Sequence, residues 1–193
     1  MKSQISIAIV GCGYWGSNHV RVMHELGTTI TLCDSSSSRI SLLQKQYPEA
    51  NATTSYSNIL SNDTINAVVI STPAETHYDL AKQAMLSGKH VLVEKPMALE
   101  PTQATELINL SRQQNVTLMV GHLMRFHPAI ITLKELVDKG ELGKLQYMYS
   151  TRLNMGKVRR EENALWSFAP HDISITLHLK GKLPKRVSAT GGA

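Results

Sequence analysis

The sequence predicts an α/β fold: a doubly wound parallel sheet over residues 1–122, followed by an incomplete α+β domain over residues 123–193. Three observations carry this. A β-rich apolar run, Ile5 to Val10, leads directly into Gly11-Cys12-Gly13-Tyr14-Trp15-Gly16 and then into a helical pattern. Short apolar runs then alternate with helical segments as far as His122, as in a parallel sheet covered on both faces. Beyond that point the alternation stops.

The first run and the glycines form the strand, turn and helix of a dinucleotide site, which makes the sheet a Rossmann sheet. Gly11 permits the tight turn, Gly13 lets backbone approach a pyrophosphate, and Gly16 lets the helix pack on the strand. The unpaired N–H groups that open the helix face the anion. Trp15, His19, Val22, Met23 and Leu26 share one helical face, and Gly27 stops the helix. Thr29 to Cys33 is the second strand. It ends at Asp34, 18 residues beyond Gly16, where an acid accepts the ribose hydroxyls of an adenosine.

Ser35 to Ser38 starts a capped helix running to about Tyr47, with Pro48 as a stop. A short helix covers Asn58 to Leu60. Asn66 to Ile70 is a buried strand that ends in the Ser71-Thr72-Pro73 loop, and a helix follows to about Ser87, with Gly88 after it. Val91 to Val93 is the next strand and delivers Glu94-Lys95-Pro96. Pro101 suits the first turn of a helix carrying Ala104, Leu107, Ile108 and Ser111 on one side. Thr117 to Val120 is a further strand, closing with Gly121-His122.

In the second domain, Pro128 opens a helix with Ile130, Leu133, Leu136 and Val137, ended by Gly140. Leu145 to Leu153 alternates in part like a half-exposed strand. Asn154 to Ala164 is a charged loop. His171 to Leu179 fits helix or strand, and Arg186 to Thr190 begins a strand with no later partner. That last strand suggests the N-terminal part of a longer, truncated enzyme.

Composition narrows the function. With 42% hydrophobic residues the 193-residue chain can build a core. A formal charge of +5 concentrates late in the chain and suits an anionic ligand, whereas no nucleic-acid motif accompanies it. Cys12 and Cys33 make no disulfide framework, no apolar stretch is long enough for a membrane span, and a cytoplasmic setting is expected. The eight histidines lack metal-ligand spacing, so no metal is expected.

Ligands of such sheets sit beyond the carboxyl ends of the strands. Lys95 stands there, directly after a buried strand and before a proline, placed to hydrogen-bond a substrate hydroxyl and assist its deprotonation. Asp34 would set its charge against a 2′-phosphate. At about 4 Å and an effective dielectric near 20 that repulsion is on the order of 4 kcal/mol, so NAD(H) is expected over NADP(H). Arg39 is expected to be solvated. The basic loop with Arg152, Lys157 and Arg159 is a candidate contact for a carboxylate or diphosphate, and Trp166 with Phe168 a candidate wall of the site.

Gly11-x-Gly13-x-x-Gly16, Asp34, Thr72-Pro73 with His77, Glu94-Lys95-Pro96 and His171 together resemble the Gfo/Idh/MocA oxidoreductases. The stretches Gly11 to Gly16, Gly121 to Pro128 and Asn163 to Asp172 resemble the branch that oxidises UDP-N-acetylglucosaminuronate at C3 during surface-polysaccharide synthesis. The resemblance implies hydride transfer from a sugar carbon to NAD. It implies Lys95 at the reacting hydroxyl and His171 as general base or its partner. Cofactor contacts are implied at Gly11, Gly13, Tyr14, Trp15, Gly16, Asp34, Thr72, Pro73, His77, Glu94 and Lys95. Arg125, Arg152, Lys157, Arg159, Trp166 and Ser167 are the implied substrate residues; many family members carry an acid where Ser167 stands. A nucleotide-sugar substrate and a homo-oligomeric full-length form follow from the same resemblance. A non-catalytic dinucleotide-binding module, which needs the glycines but neither Lys95 nor His171, or an inactive truncated dehydrogenase is the alternative.

Overall fold

The structure is a computed structural model that describes residues 5–153 and 164–191. The chain divides into two compact units, Met1–Gly121 and His122–Ala193.

In the first unit the strands are β1 (Ser6–Val10), β2 (Thr29–Cys33), β3 (Asn51–Thr53), β4 (Ala67–Ile70), β5 (His90–Val93) and β6 (Leu118–Val120). They form one six-stranded sheet in the order β3-β2-β1-β4-β5-β6, and every neighbouring pair is parallel. The crossovers contain α1 (Tyr14–Glu25), α2 (Ser37–Gln44), α3 (Tyr56–Leu60), α4 (His77–Leu86) and α5 (Pro101–Gln113). Successive side chains of a strand point to opposite faces. Ala8 and Val10 therefore join Val68, Ile70, Val91 and Val93 against Met85 and Leu107. Ile7 and Ile9 join Leu32 and Val69 against Val20, Ile40 and Leu43 on the other side. Both faces being covered explains why these strands read as unbroken apolar runs.

The sequence expectations differ from the structure at four points here. The buried side of α1 is Gly16 and Val20, with Met23 packed on the core, while Trp15, Val22 and Leu26 are exposed. Gly16 has to face the strand, which turns the expected face outward. In α5 the buried residues are Leu107 and Leu110, and Ile108 is exposed. Strand β3 carries no apolar pattern and was not expected; backbone bonds to β2 define it. At the expected serine cap, Ser36 is the N-cap of α2 without a side-chain bond to the helix. Its hydroxyl pairs with that of Ser38 instead. Gly27 and Gly88 end their helices with φ of +73° and +72°.

One buried cation braces the start of β5. Lys89 donates through Nζ to the carbonyls of Asn62 and Ile65 at 2.8 and 3.0 Å, and burial lowers its pKa from the usual lysine value.

In the second unit a 3₁₀ turn, Leu123–Phe126, precedes α6 (Pro128–Asp138), and α7 spans Ala164–Lys180. Ile130, Leu133, Leu136 and Val137 are the half-buried apolar positions of α6. His127 accepts the Ala129 N–H at its start, and Gly140 follows its end with φ +74°. His171 to Leu179 is helical. The two strands expected at 145–153 and 186–190 do not form: both segments are irregular and mostly exposed. An alternating sequence makes a strand only when a neighbour takes its backbone groups, and no described residue does so. Most of the expected charged loop, residues 154–163, lies outside the described residues. Among the described residues no helix is long and apolar enough to cross a membrane.

The two kinds of glycine should respond differently to a methyl group. A Cβ at Gly27 meets nothing within 4 Å, whereas one at Gly16 lies 1.8 Å from the Gly11 carbonyl oxygen. Urea unfolding should show G27A losing about 1 kcal/mol, the left-handed backbone term alone. G16A should lose more than about 3 kcal/mol, because backbone cannot yield as a side chain can.

Candidate functional site

In an open parallel sheet the ligand crevice lies beyond the strands' carboxyl ends, where the strand order reverses. Here that place is between β1 and β4. Gly11 follows β1 with φ +92° and donates its N–H to the Cys33 carbonyl at 2.8 Å. A Cβ on it would lie 2.8 Å from the carbonyl carbon and oxygen of Ser71 and 2.9 Å from the Thr72 nitrogen, in the loop after β4. The Ser71 hydroxyl donates to the Gly11 carbonyl at 2.8 Å, locking the two loops together. At Gly13 the opposite holds: a Cβ would meet nothing within 4 Å. Gly13 is the extended N-cap of α1, and no side chain caps the helix. Open space in front of uncapped helix N–H groups fits a pyrophosphate. Tyr14 and Trp15 stand exposed at that helix start, ring edge to ring face with centroids 5.9 Å apart.

Asp34, buried just after β2, holds the turn. One carboxylate oxygen accepts the Cys12 N–H at 2.7 Å, and the other accepts the Ser36 N–H at 2.8 Å. Each oxygen keeps a further lone pair for a ribose hydroxyl. Arg39, expected in solvent, is 61% exposed yet has Nη1 3.7 Å from the Asp34 carboxylate. The two thiols beside the turn are inert. Burial first, then the Asp34 charge, pushes Cys12 up to about 12 and Cys33 up to about 11.

Lys95 is half-buried at the tip of β5, before a cis bond to Pro96. Two of its neighbours, both expected cofactor contacts, are held by protein partners. Glu94 is buried, and its Oε1 lies 2.8 Å from Nε2 of His19 on α1. His77 is 1% exposed. Its Nδ1 lies 2.7 Å from the Pro96 carbonyl and its Nε2 2.8 Å from the Thr72 carbonyl. Both side chains brace the loops around the site. The Thr72 hydroxyl pairs with that of Thr76 at 2.6 Å, and Pro73 precedes the 3₁₀ turn Ala74–Thr76.

In the second unit Arg125 places Nη2 3.3 Å from Nδ1 of His178. Arg152, expected to meet a substrate anion, instead grips Asp172 through two bonds of 2.6 and 3.0 Å. Ser150 donates to the same carboxylate, and the guanidinium holds the Asp172 carboxyl below the usual range. Lys157 and Arg159 lie outside the described residues. Trp166 lines an apolar cavity with Leu165, Ala169, Pro170, Ile173 and Leu177. Ser167 and His171 belong to the same helix, α7. No group of described residues could hold a metal ion.

Sequence reasoning missed His19, Ser71 and Asp172. Only His19 left a usable signal: it lies three residues after Gly16, beside the inward stripe of α1.

Comparison with known proteins agrees with this fold. The oxidoreductase family described by an NAD-binding Rossmann fold, Gfo/Idh/MocA, matches residues 5–122. A UDP-N-acetylglucosamine 3-dehydrogenase of Acidithiobacillus ferrooxidans is 30% identical over 96% of this chain and 57% of its own. A 2,7-anhydro-N-acetylneuraminate hydratase of Mediterraneibacter gnavus is 26% identical over 97% of this chain and 52% of its own. The WlbA dehydrogenase of Bordetella pertussis, solved with NADH and UDP-GlcNAcA, superposes with a TM-score of 0.69 at 24% identity, over 75% of this chain and 42% of that one. That likeness is one of fold. The chain spans about half the length of the curated relatives it matches.

The raised thiols give a direct test of the turn. The thiolate is the reactive form, and with values near 11 and 12 on the order of 0.1% or less is present at pH 8. A disulfide reagent at pH 8 should leave both cysteines of the folded chain unlabelled and label both in urea. Rapid labelling of the native protein would show the turn to be open.

Proposed function

The chain belongs to the Gfo/Idh/MocA oxidoreductases, a family with an NAD-binding Rossmann fold, and from that premise we propose that it carries the hydride-transfer site of an NAD-dependent nucleotide-sugar dehydrogenase, acting at C3 of a UDP-linked uronate. The observation that carries the proposal is a juxtaposition on one sheet edge. The open, uncapped helix start at Gly13, the Asp34 carboxylate and Lys95 follow β1, β2 and β5 at their carboxyl ends. The sugar-nucleotide part is supported by the 3-dehydrogenase relative and by the resemblance of residues 163–172.

In this proposal NAD, when bound, supplies the hydride acceptor. The N–H groups that open α1 hold its pyrophosphate, and Asp34 accepts its ribose hydroxyls. Lys95 hydrogen-bonds the reacting hydroxyl and helps remove its proton as the carbon beneath gives up hydride. His171 is the general base or shares that work. Residues 1–122 bind the dinucleotide, residues 123–193 contribute to the sugar site, and a full-length form works as a homo-oligomer in polysaccharide synthesis.

Replacing the lysine separates binding from chemistry. K95A should keep NADH affinity within about threefold while turnover of UDP-N-acetylglucosaminuronate falls at least about a hundredfold. If the parent binds NADH but neither it nor any variant turns over a sugar nucleotide, the non-catalytic binding module is the better account.

Cofactor choice gives a second test. The Asp34 charge opposes a 2′-phosphate and the exposed Arg39 offsets part of that. NADH should bind at least about tenfold more tightly than NADPH, about 1.4 kcal/mol. Equal affinities in a fluorescence titration would overturn the assignment.

A further inference from the structure

The carboxylate of Glu94 is the group in the first unit whose burial the fold alone explains least. Its Oε1 meets Nε2 of His19 at 2.8 Å. Its Oε2 curls back to the N–H of Lys95 at 3.4 Å, a long contact. On a third side it lies against Gly121 at the end of β6, where a Cβ would come 2.9 Å from Oε1 and 3.0 Å from Oε2. Burying a carboxylate is costly even when it is paired, and a packed apolar side chain often gives an equally stable core. What an apolar residue would not give is directional contact with three chain segments at once: α1, the tip of β5 and the tip of β6.

We propose that Glu94 is a positioning residue for Lys95: its carboxylate, clamped between the His19 imidazole and the bare Cα of Gly121, sets where the Lys95 amine stands relative to the glycine turn. The inference rests on the role proposed above for Lys95. The chain of cause is short. His19 lies on the helix that opens at Gly13, so it ties the carboxylate to the element that would hold the pyrophosphate. Gly121 leaves only the room the carboxylate fills. The peptide that follows Glu94 begins Lys95, so a displaced carboxylate carries the Lys95 backbone with it. His19 and Gly121 are thereby linked to the chemistry through Glu94.

Lysine-specific NMR tests this without turnover. The lysines of the full chain are dimethylated with ¹³C-formaldehyde, and the Lys95 signal is assigned from K95R. In the parent the Lys95 signal should move when NADH is added. In H19L and in G121A it should leave its parent position by more than a linewidth and lose most of its response to NADH, while the other lysine signals stay. H19Q, whose amide can still donate to the carboxylate, should retain the parent signal. A Lys95 signal and NADH response identical to the parent in both H19L and G121A would overturn the proposal. If those two variants do not fold, E94Q takes their place: a shifted Lys95 signal supports the clamp and an unshifted one refutes it. A parent Lys95 signal indifferent to NADH would instead count against the role of Lys95 itself, and the variant shifts would still report whether the clamp exists.

Discussion

A methyl group has no room at Gly16: it would lie 1.8 Å from the carbonyl oxygen of Gly11. That contact of bare backbone brings the start of α1 onto the end of β1, and the other features of the crevice depend on it. With α1 drawn in, Gly16 and Val20 become its buried side, and His19 arrives beside Glu94. With Gly11 pressed against Ser71 and Thr72, the loops after β1 and β4 form one wall. The helix N-terminus is left facing open space at Gly13. An anion site of this type needs no charged side chain, because the aligned peptide groups supply the field.

Around that contact, buried polar groups serve the backbone. Asp34 takes the N–H groups of Cys12 and Ser36, and His77 joins the carbonyls of Thr72 and Pro96. Lys89 holds two carbonyls before β5. Loops carry backbone groups without ladder partners, and a buried one left unpaired costs about 1–3 kcal/mol. Side chains that satisfy these groups turn loops into fixed surfaces. His77 is such a side chain, its ring set between two loop carbonyls.

Much of the first unit was legible because its physics is local. The strands at 67–70 and 91–93 stand between two covered sheet faces, so an unbroken apolar run gives them away. Positive-φ stops at Gly27, Gly88 and Gly140 were equally plain. Asn51–Thr53 was not, since its neighbour's backbone, and not its side chains, makes it a strand. The face of α1 was misjudged by weighing the large apolar residues Trp15 and Leu26 over Gly16, although a helix glycine in this turn must point inward. Arg152 looked like an anion-binding cation because sequence shows a charge but not its partner, and Asp172 is 20 residues away. The alternation at 145–153 was real as a pattern, but a strand is a property of a pair.

The engagement of Asp34 also bears on how the cofactor is chosen. In the simplest account the acid at the end of β2 is a free carboxylate that accepts ribose hydroxyls and repels a phosphate. Here both oxygens already hold backbone N–H groups, one in the glycine turn and one before α2. Removing the carboxylate would take away the repulsion and also unpair the Cys12 N–H, in the middle of the turn on which pyrophosphate binding depends. Under the role proposed for Asp34, recognition of the ribose and integrity of the turn are thus one property. The charge can be changed without that penalty at Arg39, which is exposed and lies 3.7 Å away. A longer reach or a second cation there would tilt the balance toward a phosphate while the turn stays intact. Asp34 fixes the geometry, and its exposed neighbour is the place where affinity can be tuned.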